Sequence, residues 1–258
     1  MNDKPRYNLT ELLACVAAGI IEDGRSVFVG TGFPVLVGML AQRTHAPGLL
    51  IIFEAGGIGP RIPALPISVG DSRTYYKASG ASSLHDVMSA AQAGYVDFCF
   101  LGGAAMDCHG NVNTTVIGDW RRPKSRLPGS GGANDIGSFC WRTIYVMRKQ
   151  SQRTFVNQLD FITTPGYLTG PGARERAGLP LGGGPYRVIT QLGVYGFDEA
   201  TRRLQLLALH PGVTVAQVQQ ASEFELLLAP EIAVSPPPTQ TQLRILREID
   251  PQGLVLGK

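Results

Sequence analysis

One glutamate stands where the chain could do chemistry. Glu54 follows the apolar run Leu49-Leu50-Ile51-Ile52-Phe53 and precedes Ala55-Gly56-Gly57-Ile58-Gly59-Pro60. A continuous apolar run of this length reads as a strand buried on both faces. The carboxyl ends of such strands are where open α/β sheets hold their ligands. A solvated glutamate at a strand end is the plain alternative, and the glycines weigh against it. Bare backbone at Gly56 and its neighbours lets a bulky substrate approach, and leaves N–H groups to face developing negative charge.

Two further segments are rich in glycine. One is Gly102-Gly103-Ala104-Ala105-Met106-Asp107 with Gly110-Asn111-Val112-Asn113, and the other is Gly129-Ser130-Gly131-Gly132-Ala133-Asn134-Asp135. Neither continues into Gly-Lys-Ser/Thr and neither has the spacing G-x-G-x-x-G, so a nucleoside triphosphate or a dinucleotide is a poor fit. Cys108 and His109 are adjacent, but neighbours in a turn point apart, and no Asp or Asn partner completes a Cys-His nucleophile. His45, His85, His109 and His210 lack metal-ligand spacing, so no metal site is expected. The basic run Arg121, Arg122, Lys124 and Arg126 reads either as a solvated loop or as a contact for phosphates or an acidic partner.

The elements that must position these residues follow a pattern. Asn8 with Glu11 has the form of a capping box, and Leu12, Leu13, Val16, Ile20 and Ile21 recur at helical spacing up to Gly24. Ser26 to Val29 reads as a strand, Gly30-Thr31-Gly32 as a turn, and Pro34 as the opening of a second helix. Strands are then expected at Leu49 to Phe53 and Val96 to Leu101, with a helix at Leu84 to Ala93 between them. From Thr143 to Met147 onward the β segments crowd together, at Phe161 to Thr163, Tyr186 to Thr190, Gly193 to Phe197 and Leu204 to Leu209. Asp198 to Thr201 reads as a hairpin turn, which makes the later portion more antiparallel. After Ser235-Pro236-Pro237-Pro238, a terminal helix with Leu243, Leu246 and Ile249 on one side is expected over Thr239 to Ile249.

Composition excludes several classes. Among 258 residues, 23 Lys+Arg against 20 Asp+Glu leave a net charge of +3, which does not suggest a nucleic-acid protein. With 44% hydrophobic and 17% charged residues the chain is too apolar to be disordered. No apolar run approaches the ~20 residues that cross a bilayer, and the polar start does not read as a secretory signal, so a cytoplasmic address is expected. Four cysteines without C-x-x-C spacing are then expected to be unpaired. One domain over residues 1–258 is the expectation from length.

Glu54 in its strand-Glu-x-Gly setting, Gly102-Gly103-Ala104 to Asp107, Gly110-Asn111-Val112-Asn113, Gly118-Asp119 with Pro123-Lys124, and Gly129-Ser130-Gly131-Gly132-Ala133-Asn134 together resemble the family I coenzyme A transferases, in the form of their β subunits. The likeness continues through Thr164-Pro165-Gly166, Gly170-Pro171-Gly172, Arg174-Glu175-Arg176, Gly178-Leu179-Pro180 and Ile249-Asp250-Pro251, and so spans nearly the whole chain in order. Many members carry Ser before and Asn after the glutamate, where this chain has Phe53 and Ala55.

The resemblance implies an α/β fold of the NagB/CoA-transferase-like kind, with an open, largely parallel sheet flanked by helices and a more antiparallel later portion. It implies a ping-pong transfer of coenzyme A between an acyl-CoA and a small acid, dicarboxylic acids included, through a glutamyl-CoA thioester on Glu54. It casts Asn113 as a polar contact near the thioester carbonyl. Gly129, Gly131 and Gly132 become a floor for coenzyme A, and Ala133 an N–H donor toward the reacting centre. It further implies a separate α subunit, in α2β2 or larger assemblies, and no cofactor beyond coenzyme A as substrate. A hydrolase or decarboxylase of coenzyme A thioesters, with Glu54 as base, is the alternative on the same fold. A ligand-sensing domain is the other, and it would be expected to carry a DNA-binding segment that does not precede residue 8.

Overall fold

The computed structural model describes residues 7–257, and the polar start before Tyr7 lies outside them. Helix α1 (Leu9–Ala18) opens on its capping box: Asn8 Oδ1 accepts from the Glu11 N–H and Glu11 Oε2 from the Asn8 N–H, both at 2.9 Å. It ends at Gly19 rather than at Gly24, because the chain tightens there into bonds from Ile20 to Ala17 and from Ile21 to Ala18. Strand β1 (Ser26–Phe28) leads to α2 (Phe33–Gln42), with Pro34 in its first turn, and then to β2 (Leu50–Ile52). Two-residue strands β3 (Gly57–Ile58) and β4 (Gly80–Ala81) follow, then α3 (Leu84–Gln92) on a Ser83–Asp86 capping box, and β5 (Phe98–Leu101).

The described chain divides into two compact units, the first made of residues up to Phe100 together with those from Pro236, the second of Leu101–Ser235. In the first, the strands lie in the order β5-β1-β2-β3-β4. β5, β1 and β2 run parallel, while β3 and β4 add antiparallel pairs. Val27 sits in register with Ile51 and Phe98, and all three are fully buried. This explains the unbroken apolar runs, each such side chain contributing about 2 kcal/mol by leaving water.

The second unit holds two small hairpins, β6 (Ala105–Met106) with β7 (Val112–Asn113) and β8 (Val116–Gly118) with β9 (Pro123–Arg126). Helix α4 (Ala133–Phe139), β10 (Arg142–Met147), α5 (Ala173–Arg176), β11 (Pro185–Thr190), β12 (Gly193–Phe197), β13 (Leu204–Leu209), α6 (Val215–Gln220) and β14 (Leu227–Val234) complete it. Its strands lie in the order β14-β13-β12-β11-β10. The β11–β12 and β12–β13 pairs are antiparallel, as the crowded later half predicts, and the outer pairs β10–β11 and β13–β14 are parallel. Tyr145, Tyr195, Phe155, Met106 and Leu206 fill the core. Phe161 to Thr163 is not a strand: the Thr163 and Thr164 N–H groups both bond to the Val112 carbonyl, which forms only an isolated bridge. Asp198 closes the β12–β13 turn, its carboxylate accepting from the Thr201 N–H and hydroxyl at 2.8 and 2.7 Å.

The chain then returns to the first unit as α7 (Gln240–Ile249), capped by Thr239, with Leu243, Leu246 and Ile249 buried. Arg247 Nε lies 2.7 Å from Oε1 of the buried Glu11, so the carboxylate that caps α1 also holds α7. Among the described residues no helix is long and apolar enough to cross a membrane.

His210 is buried, its Nε2–H donating to the Thr190 carbonyl at 2.9 Å and its Nδ1 accepting from Ser235 Oγ at 3.0 Å. This is the neutral tautomer, and burial holds the imidazole below its ordinary pKa. Above pH ~6.5 both folded and unfolded chains carry it neutral. As pH falls through that value the unfolded chain binds a proton that the folded one resists, so stability declines by at most about 1.4 kcal/mol per pH unit. Urea midpoints between pH 7.5 and 5.5 are expected to show this slope, and His210→Gln to flatten it. An unchanged slope would assign it to other groups.

Candidate active site

Each unit holds part of the predicted set. In the first, β2 ends at the fully buried Phe53, whose N–H bonds to the Gly57 carbonyl at 2.9 Å while its own carbonyl accepts from the Gly56 N–H at 2.9 Å. The result is a tight turn with Glu54 and Ala55 at its two central positions. The turn is fastened from outside as well. The Tyr75 hydroxyl donates to the Ala55 carbonyl, and the Ser82 N–H donates to the Gly56 carbonyl at 3.0 Å. Glu54 is half-buried, and among the described residues its carboxylate has no hydrogen-bond or ion-pair partner. A carboxylate presented by a rigid turn without a cation or donor to quench it keeps its electron pairs for a reacting group.

The glycines beside it serve the fold. A Cβ on Gly56, at φ +109°, would lie 2.0 Å from the Ser82 carbonyl oxygen, and one on Gly57 would lie 2.2 Å from that of Thr74. With its N–H given to Phe53, Gly56 has no donor left for an oxyanion. Neither Tyr75 nor Ser82 is legible in the sequence as a support of Glu54, since nothing local marks a partner 20 or more residues away.

In the second unit, Asn113 is buried and its amide closes its own turn. Oδ1 accepts from the N–H groups of Thr115 and Val116 at 2.9 and 3.2 Å, and Nδ2 donates to the Val116 carbonyl at 2.7 Å. Thr114 ties this turn to the glycine loop. Its carbonyl accepts from the Gly129 N–H and its hydroxyl donates to the Gly129 carbonyl, both at 2.8 Å. Asn113 is therefore joined to Gly129 through one residue. Here the glycines have the opposite character to Gly56: Gly129 and Gly131 take φ of +94° and +49°, and a Cβ on either would meet nothing within 4 Å. Among the described residues the N–H groups of Gly131 and Gly132 have no partner. The Ala133 N–H, expected to face the reacting centre, bonds instead to the Ser130 carbonyl at 2.9 Å.

The remaining motif residues form a frame. Asp107 accepts from the N–H groups of His109 and Asn111 and from Asn111 Nδ2 at 2.7 Å, while Asn111 Oδ1 accepts from the Gly166 N–H at 2.8 Å. Buried Arg174 donates to the carbonyls of Pro165, Gly166 and Ser138. His109 Nδ1 donates to the Arg202 carbonyl at 3.0 Å, and burial raises the Cys108 thiol above its ordinary pKa, which disfavours its thiolate form. Among the described residues no cluster of three His, Cys, Asp or Glu side chains is placed to hold a metal.

The chain thus carries parallel strands leading into a glutamate turn and, in its second unit, an open glycine loop and a partly antiparallel sheet. The model of the coenzyme A transferase family matches residues 10–221, and the chain belongs to that family. It is 36% identical over 245 residues to the β subunit of 3-oxoadipate CoA-transferase from Pseudomonas knackmussii, covering 95% of this chain and 94% of that one. Over 260 residues it is 36% identical to the β subunit of glutaconate CoA-transferase from Acidaminococcus fermentans, covering 97% and 96%. The crystal structure of glutaconate coenzyme A-transferase from that organism superposes with a TM-score of 0.93 at 35% identity, covering 99% of this chain and all of that one.

Proposed function

We propose that this chain is the β subunit of a heteromeric enzyme that moves coenzyme A from an acyl-CoA to a short carboxylic acid through Glu54. The observation that carries the reading is the Glu54 carboxylate itself, fixed in a tight turn and unpartnered among the described residues. The carboxylate attacks the donor thioester carbonyl, and the C–S bond breaks to give an acyl-glutamyl anhydride and coenzyme A thiolate. The thiolate attacks the Glu54 carbonyl, expelling the donor acid and leaving a glutamyl-CoA thioester. The acceptor carboxylate attacks that thioester, and the released thiolate attacks the acceptor carbonyl of the new anhydride, which restores Glu54. Charge balances at each step, and water and electrons are neither consumed nor released.

A carboxylate is a weak nucleophile toward a thioester, so binding along the coenzyme A arm must hold the reacting atoms together. Within the second unit the open backbone of Gly129 and Gly131 offers that arm a surface, with the Gly131 and Gly132 N–H groups as donors. Asn113 acts by shaping the turn that carries Thr114. Coenzyme A enters as substrate, and no further cofactor is assigned. A separate α subunit supplies the rest of the acyl pocket, in α2β2 or larger assemblies, and residues 1–258 work as one β-subunit domain. Both relatives are named for dicarboxylic acids, which supports a short dicarboxylic acid as donor or acceptor. Coenzyme A thioester chemistry suits a cytoplasmic address.

The test exposes the assembled enzyme to a panel of short acyl-CoAs, traps with hydroxylamine or borohydride, and examines the peptide holding Glu54 by mass spectrometry. A modification on Glu54, with labelled acid entering the thioester pool, is the expected result. Free coenzyme A accumulating while Glu54 stays unmodified would replace transfer by hydrolysis.

A further inference from the structure

The basic run that the reaction leaves unused is a built feature. Arg121, Arg122, Lys124 and Arg126 lie on the β8–β9 hairpin, whose register pairs Val116 with Arg126 and Ile117 with Ser125. The tip is shaped by Asp119, which accepts from the N–H groups of Arg121 and Arg122 at 2.8 and 2.9 Å. The Gly118 N–H is held by Asp160 at 2.9 Å. Both nearby carboxylates are thus occupied with backbone, and among the described residues none of the four cations has an ion-pair partner.

Trp120 stiffens the finger. It is 53% exposed, yet it stacks on Phe161 with ring centroids 5.2 Å apart. The Arg126 guanidinium lies 4.4 Å from its ring centroid and donates to its carbonyl at 2.7 Å. At its base the hairpin runs without a break into the glycine loop, through Leu127 N–H to Thr115 O at 3.0 Å and Gly129 N–H to Thr114 O at 2.8 Å. An unneutralised cationic finger and an open stretch of backbone are therefore one rigid piece.

Resting on the coenzyme A reading above, we infer that the β8–β9 finger binds the phosphate groups at the nucleotide end of coenzyme A while the glycine loop carries its arm. Guanidinium groups bind phosphate oxygens through paired, charge-assisted hydrogen bonds. The finger then supplies binding energy remote from the reacting carbonyl, of the kind a weak nucleophile requires. Exposed cations are screened by salt, so the contribution weakens as ionic strength rises.

The test compares wild-type enzyme, assembled with its α subunit, with the triple variant Arg121→Gln, Arg122→Gln, Lys124→Gln. Substrates are an acyl-CoA, its dephospho-CoA form lacking the 3′-phosphate, and the acyl-pantetheine lacking all phosphates. The variant is expected to lose roughly tenfold in kcat/KM for acyl-CoA and little for acyl-pantetheine, so that the three substrates converge. All three positions are exposed, so melting and assembly should be unchanged. An unaltered preference among the substrates would overturn the proposal. So would a variant whose only defect is weaker association with the α subunit, since the finger would then dock an acidic protein surface. Equilibrium dialysis of coenzyme A itself reads the finger even if no acyl transfer is found, which separates this inference from the role of Glu54.

Discussion

Glu54→Gln is expected to lower acyl transfer by roughly four to six orders of magnitude while leaving the protein folded. The amide keeps the size and shape of the side chain but offers no anionic oxygen, so neither the anhydride nor the glutamyl thioester can form. Each factor of ten is about 1.4 kcal/mol of barrier, and nothing else in the turn supplies a replacement. Fold stability should hardly change, because the carboxylate has no partner among the described residues to lose; a melting temperature within about 2 °C of wild type is expected. Glu54→Asp keeps the charge but draws it back by one methylene. A displacement of that size costs on the order of a hundredfold, so aspartate should fall between glutamine and wild type. Steady-state exchange of labelled acid into acyl-CoA measures all three. A glutamine variant that kept more than about 1% of wild-type transfer would remove Glu54 from the nucleophile's role.

The sequence makes the frame around this residue legible where the signals are local. Asn8 with Glu11 specifies a helix start through side-chain to backbone bonds spanning three residues, and the box forms; the structure adds a second one at Thr239 with Gln242, opening the expected terminal helix. The parallel strands β1, β2 and β5 announce themselves because burial on both faces demands unbroken apolar runs. β3 and β4 have no such mark: Gly57 pairs with Ala81 and Ile58 with Gly80, across more than twenty residues, so tertiary pairing makes them strands. β14 hides for a different reason. Pro230 interrupts its pattern and is tolerated because β14 stands at the end of its unit's strand order, as edge strands allow. Phe161 to Thr163 errs the other way: its residues are β-forming, but Thr163 bonds to the Val112 carbonyl and otherwise to Thr114, Thr115 and Asn134 rather than to a neighbouring strand.

Within the candidate site, residue type was legible and residue role was not. Gly56 and Gly131 look alike in sequence, each followed by a second glycine within a glycine cluster. What separates them is the atom that a side chain would meet, the Ser82 carbonyl for one and open space for the other. Ala133 shows the same limit, because whether an N–H faces solvent or the Ser130 carbonyl depends on a turn that no spacing rule specifies.

This difference gives the second large effect. Gly56→Ala should disrupt folding and activity together, whereas Gly131→Ala should separate them. At Gly56 a methyl would sit 2.0 Å from a backbone oxygen at φ +109°, and both the turn and the Ser82 segment are pinned by hydrogen bonds, so neither yields cheaply. A loss of about 3 kcal/mol is expected, which is on the order of 10 °C in melting temperature for a chain of this size. Whatever folds will present Glu54 from a displaced turn, so transfer should drop by at least a hundredfold. At Gly131 the methyl meets nothing, and the cost is that of alanine at φ +49°, about 1–2 kcal/mol. The added carbon would nonetheless occupy the surface that the coenzyme A arm needs, so KM for acyl-CoA should rise while the cooperative unfolding transition persists. Thermal melts beside kcat and KM for the two variants read the contrast directly. If Gly131→Ala left KM unchanged, the open loop would not be where coenzyme A lies, and its glycines would be there only for the turn.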